Sequence, residues 1–572
     1  MPAWVLRRPA QPVGEPPRVS RVWSSSSRLP WSAPFWLTLL VGIPASAFAA
    51  DSPSEQEAVR ERIEEIRLLG ETRAGEEKVT SGAFLPEFYE RRDFLPAWTR
   101  PQSVNQLLGA IRSAEADGLS PSSYHLQAIE RLQAATSGGT GGSAEERANL
   151  DLLQTDALVQ LAYDLHFGKV DPEWNTSRSF GEIKPVEALA AALESGDIAG
   201  LLARTRPQHP FYGQLRDALA RLRAIAASGG WPAIPLGPTL EKGVRGDRVL
   251  RLRERLAATG DGPEGMPAQA SVFDEALERA VRDLQVRYGL PADGAVGGST
   301  LEALNVPVAA RVEQIRANME RARWVLHEVK GDYLVVDIAG FQAEFVRNGQ
   351  TVWKSRVQVG TPYRKTPTFK SDLTYLVFNP TWTVPPTILD KDILPAMKRH
   401  GRELEKRGLK LLDRNGQEVD PAAVDWSRYK GTNFPYLLRQ DPGPRNALGR
   451  IKFMLPNPHS VYLHDTPKKS LFDKPERAFS SGCIRIENPI ELAELLLDDG
   501  NRWGRERIQA VIDTKHTRTV FLPRPVPVLL LYWTVSVDAG GRVGFKKDIY
   551  ERDRTVLEGL AQSARARTWP AV

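Results

Sequence analysis

The 572-residue chain is poor in sulfur, with five methionines and a single cysteine, Cys483. One cysteine excludes an internal disulfide and any cysteine-rich zinc or iron–sulfur site. The histidines are scattered and no H-E-x-x-H pattern occurs, which argues against a zinc hydrolase. No P-loop or dinucleotide-binding glycine fingerprint is present. Ser427-Arg-Tyr-Lys430 matches S-x-x-K but has no K-T-G partner, so a serine site of the penicillin-binding kind is not supported. Charge of one sign is barely in excess: 76 Lys+Arg against 70 Asp+Glu leaves +6. That is weak footing for nucleic-acid binding, and none is expected. Long apolar runs are missing after residue 50. What remains is an ordinary globular balance, 41% hydrophobic and 26% charged. The length suits three or four domains at roughly 150 residues each.

The first fifty residues read as an address. Arg7, Arg8, Arg18, Arg21 and Arg28 precede the apolar run 35–43, and Ala47-Phe48-Ala49 matches an A-x-A cleavage pattern. The run is shorter than the ~20 residues that span a bilayer. A cleaved export signal is the expectation, with an uncleaved membrane anchor as the alternative. In an oxidising compartment most structural cysteines are paired. A lone thiol there points to chemistry.

Residues 51–235 read as helical, with apolar spacing of three and four over 54–69, 104–116, 144–165 and 210–227. Breakers such as the Gly-rich 137–143 stretch separate them. No polar constellation in this region suggests chemistry, so it reads as a scaffold. Residues 240–305 form a compact unit of three helices. Asp274 suits an N-cap, and the glycines of 288–297 suit the turn that follows the second helix. From Tyr333 the period changes to two. Strands are expected at 333–338 and 351–359 around Asn348-Gly349, a hairpin signal, and at 374–378 and 460–463. A loop-and-helix insertion at 384–446 reads as a lid.

Cys483 lies in Ser480-Ser481-Gly482-Cys483-Ile484-Arg485, and His464 precedes it by 19 positions. Two neighbouring strands can bring such residues together. A nearby imidazole can activate a thiol whose free pKa is about 8.5. Gly482 permits a tight turn that exposes the sulfur and aims backbone N–H groups at an oxyanion. Arg485 shares a strand face with Cys483 and can hold a carboxylate, or form a structural ion pair. Trp382 and Tyr462 read equally as pocket wall or core.

This block resembles the signature of the L,D-transpeptidase family with a YkuD-type catalytic domain. His464 and Cys483 match its catalytic histidine and cysteine, while Ser481 stands where many members carry histidine. The compact unit resembles a three-helix peptidoglycan-binding domain through Gly243, Gly246, Val249, Leu252, Leu256, Phe273, Gln285, Asp293 and Gly294 among others, with an insertion at 261–270. The whole resembles the large periplasmic subgroup, including Asn379-Pro-Thr-Trp382 and a closing strand region at Lys547-Asp-Ile-Tyr550.

The resemblance implies a multidomain α+β architecture. Its segments are an export signal at 1–50, a helical scaffold at 51–235 and a peptidoglycan-binding domain at 236–307. A connecting helix follows at 308–328, then a β-sandwich-like catalytic domain at 329–555 and a tail at 556–572. It implies a periplasmic acyltransferase that joins diamino acids of peptidoglycan stem peptides and releases D-alanine. Stems serve as donor and acceptor, and carbapenems are covalent inhibitors. No metal or cofactor is required. Cys483 is the nucleophile and His464 the acid/base, with Gly482, Ser481 and Asp465 as oxyanion or backbone support. Arg485, Ser480, Tyr462 and Trp382 contact substrate. An L,D-carboxypeptidase on the same site and a non-catalytic wall-binding protein stay open as alternatives.

Overall fold

The computed structural model describes residues 54–137, 141–174, 183–265, 267–327 and 329–562, with the His400 side chain excepted. The export segment 1–50 and the last ten residues of the expected tail lie outside them.

The scaffold forms around one long helix, Ala144–Phe167, buried on nearly all sides. Ser143 and Glu146 close a reciprocal capping box at its start, satisfying two backbone donors that the helix leaves free. Its buried carboxylates hold neighbouring chain. Asp156 accepts from the Ser81 N–H at 2.7 Å and meets His125 Nε2 at 2.8 Å, and Asp151 accepts from the Ala97 N–H at 2.8 Å. These are bracing contacts, in line with a scaffold.

The three-helix unit consists of Asp247–Ala257, Glu275–Tyr288 and Gly298–Leu304. Asp274 caps the second helix by accepting from the Leu277 N–H at 2.8 Å. Gln285 reaches Asp293, the Ala295 carbonyl and the Gly294 N–H, each at 2.8 Å, and so fixes the turn after that helix. The core of this unit is not private. Phe273, Leu284, Leu215, Ile315, Val535 and Phe545 share one apolar cluster, so the scaffold's last helix and the C-terminal hairpin pack into it. The connecting helix Val308–Val325 runs between these layers. Its Asn318 Nδ2 donates to Thr534 Oγ1 at 2.7 Å, and its Ala317 joins the scaffold core.

The β-rich region is built, among the described residues, on nine strands: β1 (Tyr333–Asp337), β2 (Gln342–Arg347), β3 (Gln350–Gly360), β4 (Phe369–Phe378), β5 (Ile451–Met454), β6 (Leu463–His464), β7 (Ala478–Ser480), β8 (Ile484–Ile486) and β9 (Arg518–Leu531). Their order is β7-β3-β8-β6-β5-β4-β9-β1-β2, and β2 also pairs with β3. The sheet therefore closes on itself, with β7 attached outside the ring. Val336, Phe345, Val357, Leu376, Phe453, Leu463, Ile484 and Val528 fill the centre, and Leu492, Ala493 and Leu496 of the helix Pro489–Leu497 pack on them. Apolar area removed from water stabilises this core at about 25 cal/mol per Å².

Three expectations for this region change. The strand before Asn348-Gly349 is β2, not 333–338. Ala339-Gly340-Phe341 turns the chain first, and Asp337 Oδ1 accepts the Gly340 N–H at 3.0 Å. Lys547-Asp-Ile-Tyr550 is not a strand. There Asp548 accepts the N–H groups of Arg552 and Asp553 at 3.0 and 2.8 Å and starts the helix Arg552–Ala561. That helix crosses the expected 555/556 boundary and places Val556 and Leu560 in the scaffold core, so its residues are not a tail.

The insertion is more than loop and helix. Trp382–Thr383, Leu437–Gln440 and Lys410–Leu412 form a three-stranded sheet over helical turns from Pro386 to His400. It has its own core, including Trp382, Ile393, Leu411 and Leu438, against which Tyr462 packs.

Candidate active site

The 19-residue gap between His464 and Cys483 is bridged by strand pairing. β6 and β8 run parallel, with Leu463 opposite Ile484 and His464 opposite Arg485. The Ile484 N–H donates to the Tyr462 carbonyl at 3.1 Å. Cys483 thus enters β8 beside Tyr462, with His464 two residues farther along the neighbouring strand. Alternation places Tyr462 and His464 on one face of their strand, and Cys483 and Arg485 on one face of theirs.

His464 is buried, and its Nδ1 lies 2.5 Å from the Asp465 carbonyl. A carbonyl only accepts, so Nδ1 carries the proton and Nε2 is left as a base. Burial, reinforced by the Arg485 charge, pushes the imidazole pKa down to about 3. Burial pushes the Cys483 thiol up, while hydrogen bonding from Tyr462 and the Lys452 and Arg485 charges act in the opposite direction. The resting pair at neutral pH is therefore thiol and neutral imidazole. The Asp465 carboxylate is turned away, accepting from the Arg450 N–H at 2.9 Å and from Lys469 Nζ at 2.7 Å. A Cβ on Gly449 would come 2.5 Å from that carboxylate, so only glycine leaves room for it.

The nucleophile loop is braced from within. Ser480 Oγ donates to the Cys483 carbonyl at 2.6 Å and accepts the Gly482 N–H at 3.1 Å. The Gly482 N–H is thus engaged by Ser480, and the Cys483 N–H carries no such bond among the described residues. Ser480 is buried and braces the loop. Gly482 adopts φ +117°, a conformation that side-chain-bearing residues rarely take. Its carbonyl accepts from Thr366 Oγ1 at 2.8 Å. Thr366 also binds the Gly360 N–H at 2.9 Å, and Tyr550 Oη donates to the Gly360 carbonyl at 2.5 Å.

Ser481 is exposed, and its Oγ accepts from Arg364 at 2.9 Å. Arg485 donates to Gln358 Oε1 at 3.1 Å and forms no ion pair among the described residues; its Nε is buried without a partner. The structural ion pair weighed for it is thus not formed. Trp382 sits in the insertion core beside Tyr462, forming wall and core together.

Sequence reasoning missed Lys452. It lies directly across β5–β6 from His464, and its ammonium stands 3.9 Å from the centre of the Tyr462 ring. Burial lowers its pKa, the Cys483 charge acts to raise it, and no carboxylate answers it among the described residues. Two cations without acid partners, Lys452 and Arg485, therefore flank the thiol. Its place in the alternating run Ile451-Lys452-Phe453-Met454 marks a polar strand position, but nothing local names His464 as its neighbour. Among the described residues no cluster of three or more histidine, cysteine or acidic side chains is arranged to hold a metal ion.

Residues 331–520 match the model of the L,D-transpeptidase catalytic domain, 83–219 a scaffold domain and 245–304 a peptidoglycan-binding domain. A provisionally named L,D-transpeptidase of Haemophilus influenzae is 36% identical over 244 residues, covering 43% of this chain and 49% of the relative. The chain thus spans about half the length of that curated relative. Crystal structures of L,D-transpeptidases from Xylanimonas cellulosilytica and Stackebrandtia nassauensis align at 15% and 13% identity. Each alignment covers 52% of this chain, with 99% and 96% of the other chain. Their TM-scores are 0.18 and 0.20.

Proposed function

We propose that this chain, whose residues 331–520 form an L,D-transpeptidase catalytic domain beside a peptidoglycan-binding module, cross-links peptidoglycan stem peptides through a Cys483 thioester. His464 Nε2 takes the thiol proton as sulfur attacks the carbonyl between the stem's diamino acid and its terminal D-alanine. The oxyanion meets the Cys483 N–H, with Lys452 and Arg485 supplying positive field. His464 returns the proton to the leaving D-alanine amine, and the thioester remains. The side-chain amine of a second stem then attacks, its proton passes to the imidazole, and the thiol is restored.

The observation that carries this reading is His464 on β6 beside the Cys483 strand, its Nδ1 proton held by the Asp465 carbonyl. The insertion favours amine over water as acceptor by covering the thioester. The same site accepts a carbapenem as acyl donor. Residues 1–50 export the protein to the periplasm, as a cleaved signal or a retained anchor.

Purified protein is incubated with disaccharide-tetrapeptide and the products are read by mass spectrometry. Cross-linked dimers and free D-alanine are expected, and neither is expected from Cys483→Ala. Tripeptides without dimers would identify an L,D-carboxypeptidase. No product and no carbapenem adduct from the parent chain would leave a non-catalytic wall-binding protein, and unchanged products from Cys483→Ala would exclude this residue as the nucleophile.

A further inference from the structure

A cavity of about 1040 Å³ lies between the three-helix module, the hairpin Val535–Val537/Val543–Phe545 and the face of β1–β3. Cys483, His464, Tyr462 and Arg485 do not line it, so it is separate from the reacting centre. It is continuous with both domains. Leu290 and Ala303 come from the module, while Arg356 and Arg477 come from the catalytic region. Arg477 immediately precedes β7, the strand that leads into the nucleophile loop.

Most charges on its wall are answered. Lys354 pairs with Glu344 at 2.8 Å, Lys546 with Asp337 at 2.5 Å and Lys547 with Glu476 at 3.1 Å. Arg287, Arg356 and Asp538 also have ion-pair partners. Three cations have none among the described residues: Arg311, Arg477 and Lys474. The one lining acid outside an ion pair is Glu302, which is exposed.

Arg311 is the most telling. Its side chain is 6% exposed. Its guanidinium donates to Gln314 Oε1 and the Ala303 carbonyl, both at 2.7 Å, and stands 4.5 Å from the centre of the Phe545 ring. Its Nε has no partner among the described residues. Arg477 is half-buried; it donates to the carbonyls of Val357, Lys474 and Phe341 at 3.3, 2.9 and 3.2 Å and lies 5.4 Å from the centre of the Phe341 ring, with no ion pair among the described residues although the Glu487 charge reaches it. Burial lowers both guanidinium pKa values to about 10. A cation taken out of water without a counter-charge is costly. An anion entering the cavity would supply what the protein withholds. Phe211 and Trp533, ring centres 5.3 Å apart, add a partly exposed aromatic wall of the kind that suits a sugar ring.

We propose that this cavity is a second binding site for peptidoglycan, taking the carboxylates of a stem peptide toward Arg311, Arg477 and Lys474 and its sugar toward Phe211 and Trp533. The proposal rests on the cell-wall reading above and deepens it. It holds one strand of the wall against the molecule while a stem reaches Cys483.

The test uses the full chain carrying Cys483→Ala, so that binding is read without turnover. Disaccharide-tetrapeptide, the peptide-free disaccharide and inorganic phosphate are titrated calorimetrically. The peptide-bearing fragment is expected to bind, more weakly as salt is raised. Arg311→Met and Lys474→Glu are each expected to lower its affinity about tenfold or more. Lys474 is exposed, so its reversal tests the site even if Arg311→Met fails to fold. Unchanged affinity in Lys474→Glu overturns the proposal, as does equal binding of the peptide-free disaccharide. Equal affinity for phosphate also overturns it, in favour of a general anion site. Failure of the cross-linking assay with binding intact would overturn only the enzymatic reading.

Discussion

Arg364 grips Asp392 through two hydrogen bonds of 2.6 and 2.7 Å, and the same guanidinium donates to Ser481 Oγ. Asp392 belongs to the insertion and Ser481 to the nucleophile loop. One side chain therefore joins the insertion to the nucleophile loop, using the paired geometry that arginine provides.

Arg364→Ala is expected to loosen that joint. Its stability cost is small, about 1 kcal/mol, because the pair is partly open to solvent. The larger effect is on product choice, with the ratio of tripeptide to dimer rising as water gains access. Mass spectrometry of the products at fixed conversion measures it. An unchanged ratio would detach the insertion from acceptor selection.

Ser480→Ala removes the brace and leaves the buried Gly482 N–H and Cys483 carbonyl unanswered. The expected cost is about 2 kcal/mol, read from urea denaturation. Carbapenem acylation should slow about tenfold or more, because the loop no longer fixes the sulfur. Acylation at the parent rate would remove this role from the hydroxyl.

The pH behaviour follows from His464. Its pKa is about 3 in the folded chain against 6.5 when free. Between those values the unfolded chain binds a proton that the folded chain does not. The stability this site contributes is therefore complete above pH 6.5 and is lost as pH falls toward 3. His464→Gln should make the urea midpoint decline less steeply between pH 7 and 4. In the parent, acylation should show no histidine limb between pH 8 and 5. Alkylation of Cys483 by iodoacetamide should keep rising beyond pH 9, because burial lifts the thiol pKa above its ordinary value. An alkylation plateau already at neutral pH would contradict the neutral resting pair.

Lys452→Met removes a cation whose charge favours the thiolate. The alkylation profile should move to higher pH, and acylation at pH 7.5 should fall about tenfold. Lys452→Arg should restore much of the loss by keeping the charge. A profile unmoved in Lys452→Met would leave the lysine with only its packing on Tyr462.

The parts of this molecule that announce themselves along the chain are local. Ser143 with Glu146, Asp274 at its helix start and Asn348-Gly349 each act within a few residues, and periodicity finds the helices around them. The run 480–485 is equally local. What could not be read is set by distance. The strand 342–347 is hard to see in the sequence because the turn at 339–341 is short and the strand's polar residues blur the alternation. Asp548 looks like part of a strand until its bonds to Arg552 and Asp553 are seen. Gly482 is adjacent to Cys483 in sequence, yet its N–H is occupied by a hydroxyl whose rotamer no motif records. Lys452, Tyr550 and the pair Arg364 and Thr366 reach the site from three separate segments, and only closure of the sheet brings them together.

The protonated thiol has a chemical consequence beyond turnover. Peroxide attacks thiolates far faster than thiols, and a sulfenic acid formed on Cys483 would have no second cysteine in the chain to resolve it. Keeping the imidazole unable to hold the proton at rest keeps the sulfur in its slow-oxidising form between encounters. The burial that depresses His464 thus acts as a preservative for a residue that the chain has no internal means to repair.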